Sequence, residues 1–428
     1  MQTPATSTSS VTEKANALLS RIKETDASLH AYVACDPAAV RRDAAILDAL
    51  DPTARGPLHG CTVAVKDLID VAGLPTRAGS SFFHRDAQSD APVIARLRAA
   101  GALIVGKTNT HEFAWGITTE NPHTGRTCNP WDLRRIPGGS SGGSGAAVAA
   151  GLCDLAIGTD TLGSVRVPAA CCGISGLRTP TGIIPTDDIV PLAPELDTVG
   201  PLAYDVTLLQ IAYAIMAGAA PSSATPPTRI ARLRGAGVHN VELALERALD
   251  EACATLQHAG TEIIDINWWD AHLTDAAAIV QQHAAARVHA GMIAEHREDY
   301  GADVRERVER ALGVTDAQLA DARTIVAQAR TNFARATNGI EGVIMPIVPG
   351  EAPISPAPPS FRAAVIPLAT PASAFGLPSL AIPIGFGKNN CPLSMQILST
   401  SPPPATILAL GKHFQELTNW HKHRPWKA

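Results

Sequence analysis

Serine hydroxyls stand among glycines in two successive stretches of this chain. The first is Gly138-Gly139-Ser140-Ser141-Gly142-Gly143-Ser144-Gly145, the second Gly158-Thr159-Asp160-Thr161-Leu162-Gly163-Ser164-Val165-Arg166. Glycine lets a backbone take positive φ and approach a ligand closely. A serine in such a loop has amide donors around its hydroxyl, which is the setting acyl transfer requires. What activates the serine then decides the chemistry.

Histidine and lysine are the two bases to weigh. Gly138-Gly139-Ser140-Ser141-Gly142 matches the nucleophile elbow G-x-S-x-G, which needs a strand entering the serine and a downstream histidine. Here the approach is Asn129-Pro130-Trp131-Asp132 and Arg134-Arg135-Ile136-Pro137, which is turn-forming sequence. His413, His421 and His423 lie downstream without a motif around them. Lys66, by contrast, follows apolar Val63-Ala64-Val65 and precedes Asp67-Leu68-Ile69-Asp70. Burial disfavours an ammonium and lowers its pKa, so a buried lysine can accept a proton near pH 7. The same segment also allows Lys66 to reach water along its stem or to pair with Asp67 or Asp70.

Two other motifs fail on physical grounds. Gly101-Ala102-Leu103-Ile104-Val105-Gly106-Lys107-Thr108 has the P-loop spelling, but its middle is an apolar strand rather than a flexible phosphate cradle. His111-Glu112 begins like a zinc-protease helix, yet Trp115 stands where the second histidine must be. No metal and no cofactor are expected.

The elements that must position these residues alternate. Ser10-Val11-Thr12-Glu13 is a capping box before a first helix, and Pro37 to Leu50 is a second. Cys61 to Val65, Ala102 to Val105 and Leu155 to Gly158 read as buried strands, with helices at Ala91 to Ala100 and Gly145 to Ala150. Asp205 caps an apolar helix, Pro221 to Pro227 is a loop, and Arg229 to Leu233, Val241 to Gln257 and Thr261 to Trp268 form a strand–helix–strand unit. Asp275 to Asn338 is helical, Pro349 to Pro359 is a proline-rich loop, and strands resume at Gly342, Leu380 and Leu393. Such alternation predicts an α/β sheet covered on both faces.

Composition excludes several classes. With 46% hydrophobic and 18% charged residues over 428 positions, a large core is available. A net charge of -5 gives no electrostatic footprint for nucleic acid. Eight scattered cysteines make no disulfide framework, and adjacent Cys171-Cys172 read as buried thiols. Met1 to Ser10 lacks the basic and apolar regions of a signal peptide, and no apolar run is long enough to span a bilayer. The expectation is a cytoplasmic protein without membrane or nucleic-acid partners, a homodimer if it assembles.

In order along the chain, Val63-Ala64-Val65-Lys66-Asp67, Gly106-Lys107-Thr108-Asn109, Glu112-Phe113-Ala114, Thr119-Glu120-Asn121, Asn129-Pro130-Trp131-Asp132, the run from Gly138 through Ser164 to Pro168-Ala169, and Gly176-Leu177-Arg178-Thr179-Pro180 resemble the amidase signature family. The likeness is strong over about residues 57–203, weaker from Pro371 to Leu398, and one of pattern only over 228–340. It implies a single α/β/α layered domain over residues 1–428, with a large mixed β-sheet covered by helices and a helical insert at about 270–340. The activity implied is hydrolysis of a carbon–nitrogen amide bond in a small amide or ureido substrate, without cofactor. Residue by residue, Ser164 matches the family's nucleophile, Ser140 its bridging serine after a cis peptide bond, and Lys66 its base. The amides of Thr161, Leu162, Gly163 and Ser164 match the oxyanion hole, and Trp115 and Gly116 a segment lining the substrate channel, although a packed Trp115 fits equally. Ser141 and Ser144 become helix-capping or structural residues, and Arg166 near Asp160 a loop-holding ion pair rather than a substrate anchor.

One departure stands out: the family commonly has glycine where Leu162 stands. That side chain should narrow the acyl pocket, and enzymes of small urea-like amides (allophanate and carboxybiuret hydrolases) depart similarly. The resemblance also admits a glutaminase-type component of an amidotransferase, or a non-catalytic scaffold member.

Overall fold

The computed structural model describes residues 10–220, 224–238 and 240–425. Residues before Ser10, and the start of the loop expected at Pro221, lie outside the described residues. The capping box at Ser10 forms as its spelling requires. Its Oγ accepts from the Glu13 amide at 3.1 Å and its own amide donates to the Glu13 carboxylate at 2.8 Å.

The chain then alternates: α1 (Val11–Leu29), β1 (Tyr32–Ala34), α2 (Pro37–Asp48), β2 (Thr62–Lys66), α3 (Pro92–Ala99), β3 (Leu103–Thr108), α4 (Gly142–Ala149), β4 (Leu155–Asp160), α5 (Arg166–Cys172), β5 (Ser175–Arg178), β6 (Thr198–Ala203) and α6 (Val206–Ala217). The second half runs β7 (Arg229–Leu233), α7 (Leu243–His258), β8 (Glu262–Ile266), α8 (Leu273–His296), α9 (Ala302–Ala311), α10 (Asp316–Ala336), β9 (Gly342–Pro346), α11 (Pro359–Ala374), β10 (Ser379–Phe386), β11 (Pro392–Ser399) and α12 (Ala405–Leu417). These strands form one mixed sheet of eleven in the order β1-β3-β2-β4-β6-β5-β10-β11-β9-β7-β8. Strands β3-β2-β4 on one side and β9-β7-β8 on the other are parallel, and antiparallel pairs join them. No helix of the described residues is long and apolar enough to cross a membrane.

The two faces of the sheet differ in side-chain size, because successive strand residues point to opposite sides. Val63, Val65, Leu155, Ile157, Leu380 and Ile382 join one core cluster with α3, α6, α7 and α12. The residues between them, Ala64, Ala156 and Ala381, join another with α4, α5 and α11. Alanines on that face and small residues in Gly142–Ala149 let α4 sit close against the strands. Lys66, two residues beyond Ala64, points the same way, toward the loop that precedes α4.

Three helices escaped the sequence reading: α5, α11 and α12. Helix α5 carries Pro168 in its first turn, where the missing N–H has no partner in any case. Helix α11 has Pro367 and Pro371 inside it, which argued against a helix after the proline-rich loop. It is held from outside: Gln396 Nε2 donates to the Leu368 carbonyl at 2.8 Å and Arg166 Nη1 to that of Ala369 at 3.2 Å.

The P-loop spelling is strand β3, and Lys107 points inward to a fully buried ion pair with Asp67 at 3.0 Å, with Thr76 Oγ1 at 2.9 Å. Breaking a buried pair from one side leaves an uncompensated charge, which costs about 3–5 kcal/mol. Lys107→Met should therefore lower unfolding stability by about that amount in urea titrations. A loss of under about 1 kcal/mol would show the pair contributes only packing.

Candidate active site

Lys66 ends β2 with its side chain wholly buried. The carboxylates beside it in sequence are engaged elsewhere, Asp67 with Lys107 at 3.0 Å and Asp70 with Arg85 at 2.9 Å. The amine instead lies 2.7 Å from Ser140 Oγ and 2.7 Å from Thr159 Oγ1. Burial pulls its pKa down to about 7, against the opposing pull of Asp197 and Asp160. Lys66 can thus accept a proton at neutral pH, and it is neither solvent-reaching nor ion-paired.

Ser140 is held by its backbone. The Gly139–Ser140 peptide bond is cis, and the Ser140 carbonyl accepts from the His111 amide at 3.2 Å and Thr110 Oγ1 at 3.0 Å. Ser141 and Ser144 are structural, and neither caps α4 through its side chain. Ser141 Oγ accepts from the Thr159 amide at 3.3 Å, and the Ser141 amide donates to the Ser164 carbonyl at 3.2 Å. Ser144 Oγ lies 2.7 Å from Thr108 Oγ1. The two serine-bearing loops are therefore stitched to each other.

The loop of Ser164 is wrapped around one carboxylate. Asp160 Oδ1 accepts from the Gly163 amide at 2.8 Å, and Oδ2 from that of Val165 at 3.2 Å. Arg166 and Arg178, both fully buried, meet the same carboxylate at 3.0 and 3.1 Å. Although burial opposes ionisation, the two guanidinium groups hold Asp160 far below the usual carboxylate range. Gly163 sits at φ +107°, where an L side chain is strained, and an added Cβ would come 3.0 Å from Ala369 Cβ. Its amide is committed to Asp160 and so drops out of the expected oxyanion donors, which leaves those of Thr161, Leu162 and Ser164. Arg166 further donates to Gln396 Oε1 at 2.9 Å and Ser373 Oγ at 3.0 Å, which makes it a tie between loop, β11 and α11.

Ser164 lines a very narrow cleft, with a cavity volume of only about 10 Å³, together with Trp115, Gly116, Leu162, Gln281 and Arg362. A second hollow of about 210 Å³ shares Ala114, Thr161 and Leu192 with it and reaches Thr159 and Asp197. Trp115 both lines the cleft and packs, its ring stacked on His289 at 5.8 Å. Gly116 is glycine because the His111 ring lies against it, and a Cβ there would fall 2.2 Å from His111 Nε2.

The family model described as Amidase matches residues 13–402. This chain belongs to the amidase family. Its amidase-family relatives include a subunit of the glutamyl-tRNA(Gln) amidotransferase of Thermosynechococcus vestitus (strain NIES-2133 / IAM M-273 / BP-1), 31% identical over 97% of this chain and 96% of that protein. A solved structure described as a crystal structure of amidase is 30% identical with a TM-score of 0.90, covering 95% of this chain and 96% of the other. Another, described under "An unexpected vestigial protein complex reveals the evolutionary origins of an s-triazine catabolic enzyme", is 30% identical with a TM-score of 0.87 over 95% of each chain.

Within this amidase-family site, sequence reasoning missed Thr159, Asp197, Gln281 and Arg362. Thr159 stood in plain view inside the second glycine stretch, its use as a partner of Lys66 unsignalled. Thr159→Val removes one of the two hydrogen bonds that orient the Lys66 amine. A hydrogen bond worth about 1 kcal/mol predicts a fall of roughly fivefold in the rate at which a fluorophosphonate labels Ser164. Unchanged labelling would take Thr159 out of that role.

Proposed function

We propose that this chain hydrolyses a carbon–nitrogen bond in a small linear amide or ureido compound through a Ser164 acyl-enzyme. Lys66 acts as the base through Ser140. The observation that carries this reading is the buried Lys66 amine, titrating near neutrality and 2.7 Å from Ser140 Oγ. Ser164 Oγ forms a bond to the substrate carbonyl carbon while its proton passes to Ser140, whose own proton passes to Lys66. The amides of Thr161, Leu162 and Ser164 offer hydrogen bonds to the oxyanion. The carbon–nitrogen bond then breaks, and the proton on Lys66 returns through Ser140 to the leaving nitrogen. Water deacylates the enzyme by the same relay, restoring the Ser164 hydroxyl. Leu162 in the cleft wall favours a compact acyl group.

A second reading is supported by the relatives named as part of an amidotransferase. There the same Ser164 acyl-enzyme would form from glutamine, with the ammonia delivered to an acceptor rather than released. Steady ammonia release from small amides by the isolated chain favours hydrolysis. Release only from glutamine, and only with partner subunits, ATP and tRNA, favours the transferase.

Ser164→Ala and Lys66→Ala should each lower kcat by at least about 1000-fold with an unchanged circular dichroism spectrum. Full activity in either variant rejects the assignment.

The acid limb of kcat/KM should fall below about pH 7, because protonated Lys66 cannot accept a proton. Glu112 is also pushed up to about 7 by burial, so it is the competing titrating group. Glu112→Gln should keep the limb in place. Loss of the limb in that variant would transfer it to the carboxyl.

A further inference from the structure

Arg362 sits in the first turn of α11, half-buried in the wall of the cleft that holds Ser164. Among the described residues it has neither a carboxylate within ion-pair distance nor a hydrogen-bond acceptor. The buried arginines Arg135, Arg166, Arg178 and Arg232 all have such partners. Its surroundings do not neutralise it. Arg307 and Arg310 add repulsion, and the nearest acid, Asp303, is already engaged by His111 at 3.0 Å and Arg307 at 3.0 Å. Loss of water pulls the Arg362 guanidinium down to about 10. A charge that has lost part of its water without gaining an ion-pair partner is unfavourable, and such a group persists where function uses it.

Gln281, from α8, lies in the same wall, 6% exposed, and its side-chain amide likewise has no partner among the described residues. The remaining wall is apolar or small: Trp115, Ile117, Leu162, Ile366. One planar guanidinium fork with one neutral amide, in so small a cleft, matches a single carboxylate group. A dianion would meet only one positive charge there.

We propose that Arg362, assisted by Gln281, binds a substrate carboxylate, so that the compounds this site takes are small amide or ureido acids. The proposal deepens the hydrolytic reading of Ser164 and rests on it. A neutral amide in the cleft would shut water from the half-buried guanidinium without pairing it, so the site discriminates against it.

The test uses the Ser164→Ala chain, in which bound amides persist. Calorimetric affinities are measured for malonamate, succinamate and hydantoate against propionamide, butyramide and ethylurea. The acids should bind at least tenfold tighter than their neutral partners. Adding Arg362→Met should erase that preference while changing neutral-amide affinity by less than about twofold, and Arg362→Lys should restore part of it. Acids that bind no tighter than neutral partners, undetectable binding included, overturn the proposal, as does an equal loss for both series in Arg362→Met. Thermal melting supplies a second readout: without ligand, Arg362→Met should melt at or above the parent temperature. A fall of several degrees would mark the arginine as structural and overturn the proposal. Fluorophosphonate labelling of Ser164 in the unaltered chain reads the hydrolytic proposal separately, since it needs no carboxylate.

Discussion

A carboxylate with no access to water, clamped between two arginines, organises this molecule. Asp160 accepts the amides of Gly163 and Val165 and meets Arg166 and Arg178. In a low-dielectric interior an unneutralised carboxylate would be untenable, and each partner pins a different part of the chain to the loop of Ser164. Arg166 reaches β11 through Gln396 and α11 through Ser373, while Arg178 reaches the Leu196 carbonyl. A loop with glycine at φ +107° would otherwise be free to wander.

The same clamp bears on Lys66. Asp160 and Asp197 both favour the ammonium, while desolvation favours the free amine. Two guanidinium groups on Asp160, and the Thr161 hydroxyl with two backbone amides on Asp197, weaken that support. Desolvation wins, and the amine titrates near neutrality. Strand geometry completes the arrangement. Because Ala64 and Lys66 share a face, the small-residue layer that lets α4 approach the sheet also delivers the amine to Ser140.

The walls of the cleft come from a different level of organisation. Trp115 and Gly116 belong to the segment before the first serine loop, but Gln281 and Arg362 arrive on α8 and α11. The serine loops and the far wall of the cleft thus come from separate segments, joined where Arg166 meets Ser373 of α11.

The residues alone determined the family and the α/β architecture. Serines among glycines, and a lysine at the end of an apolar strand, are local patterns whose physics travels with the chain. The capping box at Ser10, the buried strands and the rejected phosphate loop were legible for the same reason. Only the tertiary structure decided which partners each charge would find. Asp67 chose Lys107 over the neighbouring Lys66, Gly163 gave its amide to Asp160, and Arg362 was left without a partner beside Ser164 among the described residues. Helices α5 and α11 were hidden because proline lowers helical propensity locally, while side chains from distant segments hold the carbonyls of α11. Local sequence sets what a segment can do, and long-range packing sets what it meets.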